Sequence, residues 1–164
     1  MVSATTQADI TSADKTGIGF DYQYYFFLWK LLSLEIGQTV GLECKDDVHT
    51  DLADDVQILY QVKHTIKTSE KTKKPSNLTT FDIDLWKTLS NWSKVITDTN
   101  ASRSTQNEQI KFIDKTYFVL ASNKSESSNN EFAKIIKSLQ EGEITIEEAR
   151  ENLKSLKKKL NLMQ

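Results

Sequence analysis

From Val56 to His64 the chain alternates as a strand does: Ile58, Tyr60 and Val62 take one parity, and Gln57, Leu59, Gln61 and Lys63 the other. Successive side chains of a strand point to opposite faces, so Gln61 and Lys63 share a face and Val62 faces away. Upstream, Thr39 to Leu42 begins a strand expected to continue through an acidic cluster of Glu43, Asp46 and Asp47. Asp51 to Asp55 then reads as the turn that carries the chain back. A hairpin of this kind brings Asp47 and Gln61 to the same end of adjacent strands. Carboxylate and amide oxygens suit a hard cation such as Mg2+. A lysine ammonium beside them can hold a water or phosphate oxygen, or offset developing negative charge. The plainer alternative is that Lys63 ion-pairs with Asp47 or Glu43 at a strand end. By strand parity Asp46 faces away from Asp47, unless a bulge at this doublet exchanges them, and His64 faces away from Lys63.

Ahead of this stretch lies the most apolar helix candidate, Phe20 to Ile36, opened by Gly17-Ile18-Gly19 and stopped by Gly37. Phe20, Tyr24, Phe27, Leu28, Leu31 and Leu32 fall at helical spacing. Tyr25, Phe26 and Trp29 extend the apolar surface around most of the helix, which predicts burial on several sides. The aromatic stripe reads as core rather than as a base-stacking platform. Gln23 is either a solvent-facing position or an amide reaching from this helix to the metal site. Residues 1–16 are polar and read as a flexible arm without the apolar segment of a secretory signal.

After the alternating strand, Lys67 to Ser76 is polar and basic and holds the only proline, Pro75. It reads as a surface loop whose Lys67, Lys71, Lys73 and Lys74 are either a solvated face or phosphate contacts. Thr79 or Thr80 is the expected cap of a helix to about Thr97, with Leu85, Leu89, Trp92 and Ile96 inward. Residues 97–109 read as a loop. Thr116 to Ala121 is a continuous apolar run that suits a strand buried on both faces, and Ile110 to Ile113 reads as its extension or as a short strand of its own. Two helices follow, Glu131 to Leu139 and one opened by a Thr145–Glu148 capping box. The expected order is helix, strand, strand, helix, strand, helix, helix, an α/β fold with a mixed central sheet flanked by helices.

A chain of 164 residues has length for one domain with a real core. Its net charge of −2 argues against a purely electrostatic nucleic-acid binder. It leaves room for a nuclease, since a local basic patch and a bound metal reverse the field at a site. The single Cys44 excludes an internal disulfide and fits a reducing, cytoplasmic setting. No apolar run is long enough to span a membrane.

The motif order narrows the expectation further. Gly19-Phe20-Asp21-Tyr22-Gln23, Glu43-x-x-Asp46-Asp47-Val48, Gln61-Val62-Lys63-His64, Asp84-Leu85-Trp86-Lys87-Thr88-Leu89 and Phe118-Val119-Leu120 follow one another along the chain. Together, over about Gly17 to Ser122, they resemble the double-stranded DNA endonuclease domain of the CD-NTase-associated (CBASS-type) nucleases, within the PD-(D/E)xK superfamily. The resemblance implies a restriction-endonuclease-like core over residues 17–125. It implies Mg2+- or Mn2+-dependent cleavage of duplex DNA in bacterial anti-phage defence, with activation by self-association. It places the metal acid at Asp47, the catalytic pair at Gln61 and Lys63, and supporting positions at Glu43 and Gln23.

Two departures matter. Gln61 stands where a carboxylate is usual, which predicts weak metal binding without DNA. The family usually carries a sensor domain downstream, for which this chain has no room, so the expectation is a nuclease-domain fragment or a module relying on a separate partner protein. Residues 126–164 are expected to complete the domain or to form an interface. On this reading Asp47, Gln61 and Glu43 hold the metal, Lys63 orients the attacking water, and His64 is structural or touches the DNA backbone together with the Lys67 to Lys74 lysines. The competing expectation is a catalytically weak or inactive DNA-binding or assembly module of a defence complex.

Overall fold

The alternation of residues 57–63 is met by β3 (Gln57–Lys63). Its Tyr60 and Val62 join Val48 in a buried cluster, while Leu59, of the opposite parity, is buried on the other side of the sheet. The computed structural model describes residues 7–66, 68, 73–125 and 127–161. Around β3 lie β1 (Thr39–Leu42), β2 (Val48–Asp51) and β4 (Thr116–Ser122), in the sheet order β1-β2-β3-β4. The first three strands form an antiparallel meander, and β4 runs parallel to β3 with Leu59 opposite Phe118 and Val62 opposite Ala121. The helices are α1 (Gln7–Leu32), α2 (Ile83–Ile96), α3 (Gln106–Ile113), α4 (Glu131–Gln140) and α5 (Ile146–Asn161).

The sheet carries helices on both faces. Tyr22, Phe26 and Phe27 of α1 pack on the Val48–Tyr60–Val62 cluster. On the other face Phe118 meets Trp92 of α2 at 5.2 Å and Phe112 of α3 at 6.2 Å, ring centre to ring centre. Phe132 of α4 meets Trp86 of α2 at 5.7 Å, and α5 packs along α4. The mixed sheet flanked by helices agrees with the expected α/β class. Among the described residues no helix is long and apolar enough to cross a membrane.

Several expectations need correction. The strand expected to run through Glu43 breaks there, because Glu43 takes a left-handed backbone (φ 55°) that turns the chain out of the sheet. Residues 43–47 are a loop, so the expected two-stranded hairpin is a three-stranded meander with a 3-10 turn at Ala53–Asp55. The helix expected from Phe20 to Ile36 starts earlier and ends sooner. It is already helical at Gln7, within the segment read as an arm, and stops at Leu32, before Gly37 adopts φ 86°. Residues 1–6 lie outside the described residues.

Asp82, not Thr79 or Thr80, caps α2, accepting from the Asp84 amide at 3.0 Å. Ile110 to Ile113 are helical, in α3, which opens with a Thr105–Glu108 capping box. The Thr145–Glu148 box forms as expected. The run 116–121 is not buried on both faces: Tyr117 is 62% exposed and Val119 lies open, because α1 packs over β1 to β3 and leaves that face of β4 uncovered. The expected burial of α1 on several sides also fails, since Phe20, Tyr24, Tyr25, Trp29, Leu31 and Leu32 are exposed. One helix face meets one sheet, and the other face is left outside.

Two predictions concern β1 and β2. Gly41 pairs with His49, whose ring lies over it; a Cβ at Gly41 would come 2.1 Å from His49 Cε1. Gly41→Ala is expected to cost about 1–3 kcal/mol in urea unfolding, as overpacking does. Gly17→Ala and Gly19→Ala, in α1 with nothing within 4 Å of the added carbon, should instead be neutral or stabilising by up to about 1 kcal/mol. Burial of His49 holds its imidazole below the ordinary 6.5, reinforced by Lys45 and opposed by Asp51. The unfolded chain therefore takes up a proton that the folded chain resists. The His49 contribution is present above the ordinary value and lost as pH falls below it. Urea midpoints should fall between neutral and mildly acidic pH, with a smaller slope in His49→Gln.

Candidate active site

Glu43 to Asp47 is short, acidic and without glycine, and its shape comes from hydrogen bonds. The Glu43 amide donates to the Asp47 carbonyl at 3.0 Å and closes the loop. Gln23 of α1, only 8% exposed, donates its amide to that same carbonyl at 3.0 Å and to the Glu43 carboxylate. Gln23 is thus the amide that reaches from the helix to the acidic cluster. Its solvent-facing alternative fails because positions 22, 23, 26 and 27 lie on the inward face of α1.

The Asp46–Asp47 doublet divides its work. Asp46 Oδ1 accepts from the Asp47 amide at 2.9 Å and Oδ2 from the Trp92 indole at 3.2 Å. Burial raises the Asp46 carboxyl above its ordinary value, as does the neighbouring Asp47 charge; the Asp47 amide, the Trp92 indole and the Lys63 charge pull it down. Asp47 turns the other way. Its Oδ2 accepts from the Val62 amide at 2.8 Å and from the Gln61 side chain. The β2–β3 ladder ends at Val48 opposite Tyr60, so the Asp47 carboxylate takes the Val62 N–H that no strand residue reaches.

These contacts leave a cleft of about 350 Å³ between α1 and the end of β3, lined by Gly19, Phe20, Gln23, Glu43, Asp47, Val62, Lys63 and His64. Asp47 and Lys63 therefore meet in one cleft. Lys63 makes no hydrogen bond or ion pair among the described residues, so the strand-end ion pair with Asp47 or Glu43 does not form. Gln61, 5% exposed, lies beneath and touches the cleft through Asp47. His64 keeps its parity although β3 ends at Lys63: its ring lies 4.8 Å from that of Tyr22, on the Val62 face as expected, where it borders the cleft. Lys67 and Lys71 lie outside the described residues. Lys73 and Lys74 are exposed and do not line the cleft.

The donor set suits a hard cation. Asp47, Glu43 and the Gln61 carbonyl supply oxygen only, as Mg2+ and Mn2+ prefer. Among the described residues Asp47 Oδ1, Glu43 Oε2 and Gln61 Oε1 accept no hydrogen bond. Gln61 presents its NH2 to Asp47, so holding a cation beside Asp47 requires its amide to rotate by half a turn. No group of three or more His, Cys, Asp or Glu gathers as a metal cluster among the described residues, and the set at this loop relies on an amide for its third oxygen.

Sequence reasoning misses Trp92, which is spaced as core and gives no hint of its Asp46 contact, and the Val62 backbone, which carries no side-chain signal. Comparison of the chain with family models, with curated proteins and with solved structures finds no match in any of the three.

Gln23→Leu tests how this loop is held. It removes both donors and leaves the Asp47 carbonyl and the Glu43 carboxylate without them. The expected cost is about 0.5–1.5 kcal/mol of unfolding free energy, measured in urea, since the Asp47 carbonyl keeps the Glu43 amide and the exposed Glu43 carboxylate turns to water.

Proposed function

We propose that this chain is the nuclease part of a defence system, hydrolysing phosphodiester bonds of duplex DNA with a divalent metal on a restriction-endonuclease-like core. The observation that carries the reading is the meeting in one cleft of Asp47 and Lys63, the latter unpaired among the described residues, with Glu43 held beside them by Gln23. The antiparallel strands followed by α2, α3 and the parallel β4 are compatible with such a core. The cytoplasmic setting and the CBASS-type assignment rest on the motif order and the single cysteine.

Asp47 and Glu43, with Gln61 after rotation of its amide, would hold Mg2+ or Mn2+. A cation bound there lowers the pKa of a water and polarises the scissile phosphate. Lys63 orients the attacking water or offsets charge on the phosphate oxygens from the open side of the cleft. Gln23 fixes the Glu43 carboxylate, and Asp46 fixes the Asp47 amide through the Trp92 contact. His64 at the cleft wall, with Lys73 and Lys74 beyond it, meets the DNA backbone. A sensor or partner protein supplies the activating signal.

The rival reading, a DNA-binding or assembly module without turnover, has the same cleft and differs in chemistry. Incubating plasmid DNA with the purified chain and Mg2+ separates them. Cleavage should occur and should fall by about 100-fold or more in Asp47→Ala and Lys63→Ala, the scale on which single electrostatic groups act. Equal cleavage by wild type and both variants would place the activity elsewhere. No cleavage at any protein concentration, with DNA binding retained, would favour the rival.

The glutamine at position 61 yields a second test. Gln61→Glu adds a carboxylate against Asp47, replacing a hydrogen bond with like-charge repulsion. Without metal the variant should unfold at lower urea than wild type, and calorimetry should show tighter Mn2+ binding. Unchanged Mn2+ affinity would remove Gln61 from the ligand set.

A further inference from the structure

The α1 side of the sheet is only partly covered. Adjacent strands lie ~4.8 Å apart, so four span on the order of 15–20 Å, whereas a helix is ~10–12 Å across. α1 packs over β1, β2 and β3. Beyond it Tyr117 and Val119 of β4, in register with Ile58 and Tyr60 and so on the α1 side, stand open. The outer face of α1 is open as well, with Leu32 at 85% exposure and Phe20, Tyr24, Tyr25 and Trp29 each half or more in water. From Gly17 to Leu32 the only charged residues of α1 are Asp21 and Lys30, and Lys30 lies over the Trp29 and Tyr60 rings at 4.6 Å. A helix apolar on every side is one with a second apolar surface to meet.

We infer that a second copy of this chain covers this face, in a two-fold dimer where the outer face of each α1 lies against the open Tyr117–Val119 strip and α1 of its partner. Three observations favour a second copy as the occupant. The patch has two parts, a protruding helix and a recessed strand edge beside it, so it complements itself under a two-fold rotation, as an isologous contact requires. From Gly17 to Leu32 its helix carries one acid and one base, Asp21 and Lys30, so apposing it to itself sets few like charges together. And its size fits. Aromatic side chains bury ~150–250 Å² each, so the four on α1 offer on the order of 500 Å². With Leu31, Leu32 and Tyr117 the patch approaches the ~800 Å² per partner of a stable interface. Phe20 belongs both to this patch and to the wall of the Asp47–Lys63 cleft, so in the dimer each cleft borders the contact. The contact is separate from the C-terminal helices, which the sequence reads either as completing the domain or as forming an interface.

Sedimentation of the chain without DNA or metal tests this independently of any cleavage. The expected species at tens of micromolar is twice the 18.7 kDa monomer mass. Leu32→Glu and Tyr117→Glu should each weaken association at least tenfold while keeping the far-UV circular dichroism of the wild type. Leu32→Ser, a milder change at the same exposed position, should weaken it in the same direction if Leu32→Glu fails to fold. Ile83→Glu, in the apolar groove between α2 and α5, should leave the dimer intact. A monomer at every concentration overturns the inference. So does a dimer that survives Leu32→Glu and Tyr117→Glu, or one that Ile83→Glu dissociates.

Discussion

The Asp47 carboxylate stands at the junction on which the site depends. By accepting the Val62 amide it extends the β2–β3 ladder one step past its last strand pair, and so ties the acidic loop to the central strand. The loop has no glycine to ease its turn, and Glu43 holds a left-handed backbone within it. Hydrogen bonds from the Gln23 amide, from Gln61 and from Trp92 through Asp46 therefore set its shape. Each comes from a different element: α1, β3 and α2. The site is a product of the tertiary fold. Its acids can be read from the chain, but the donors that aim them cannot be recognised by spacing.

The central strand is legible in the sequence because alternation over residues 57–63 leaves only one assignment of faces. The same alternation brings Asp47, Gln61 and Lys63 near one another. It misleads where it is extended past its physical support. Carrying the strand through Glu43 gives a wrong end, because period-two reasoning holds only inside a ladder. Asp46 does turn away from Asp47 as parity suggests, yet it does so inside a loop, pulled by the Trp92 indole. Helix α3 escapes a reading by pattern although its Thr105–Glu108 capping box is present, because Ile110 to Ile113 also reads as a strand former.

The burial of α1 shows a different limit. Hydrophobicity around the whole helix reads as burial within one chain. One sheet can cover only one face, and the structure leaves the other open beside the uncovered half of β4. The same pattern of residues serves an internal core or a contact between copies, and sequence alone does not divide them. Helix α1 supplies core through Tyr22, Phe26 and Phe27 and site geometry through Gln23. In the inferred dimer it also supplies contact surface, through exposed residues such as Tyr25 and Leu32.

Whether the acidic loop is a metal site is the claim on which the functional reading stands. Backbone amide spectra of the chain titrated with Mn2+ address it directly, because paramagnetic broadening falls off steeply with distance from the bound ion. The expected outcome is selective broadening of the amides from Glu43 to Val48 and from Gln61 to His64, lost in Asp47→Ala. Broadening centred on another acidic stretch, such as Asp51 to Asp55, and unchanged in Asp47→Ala would contradict it.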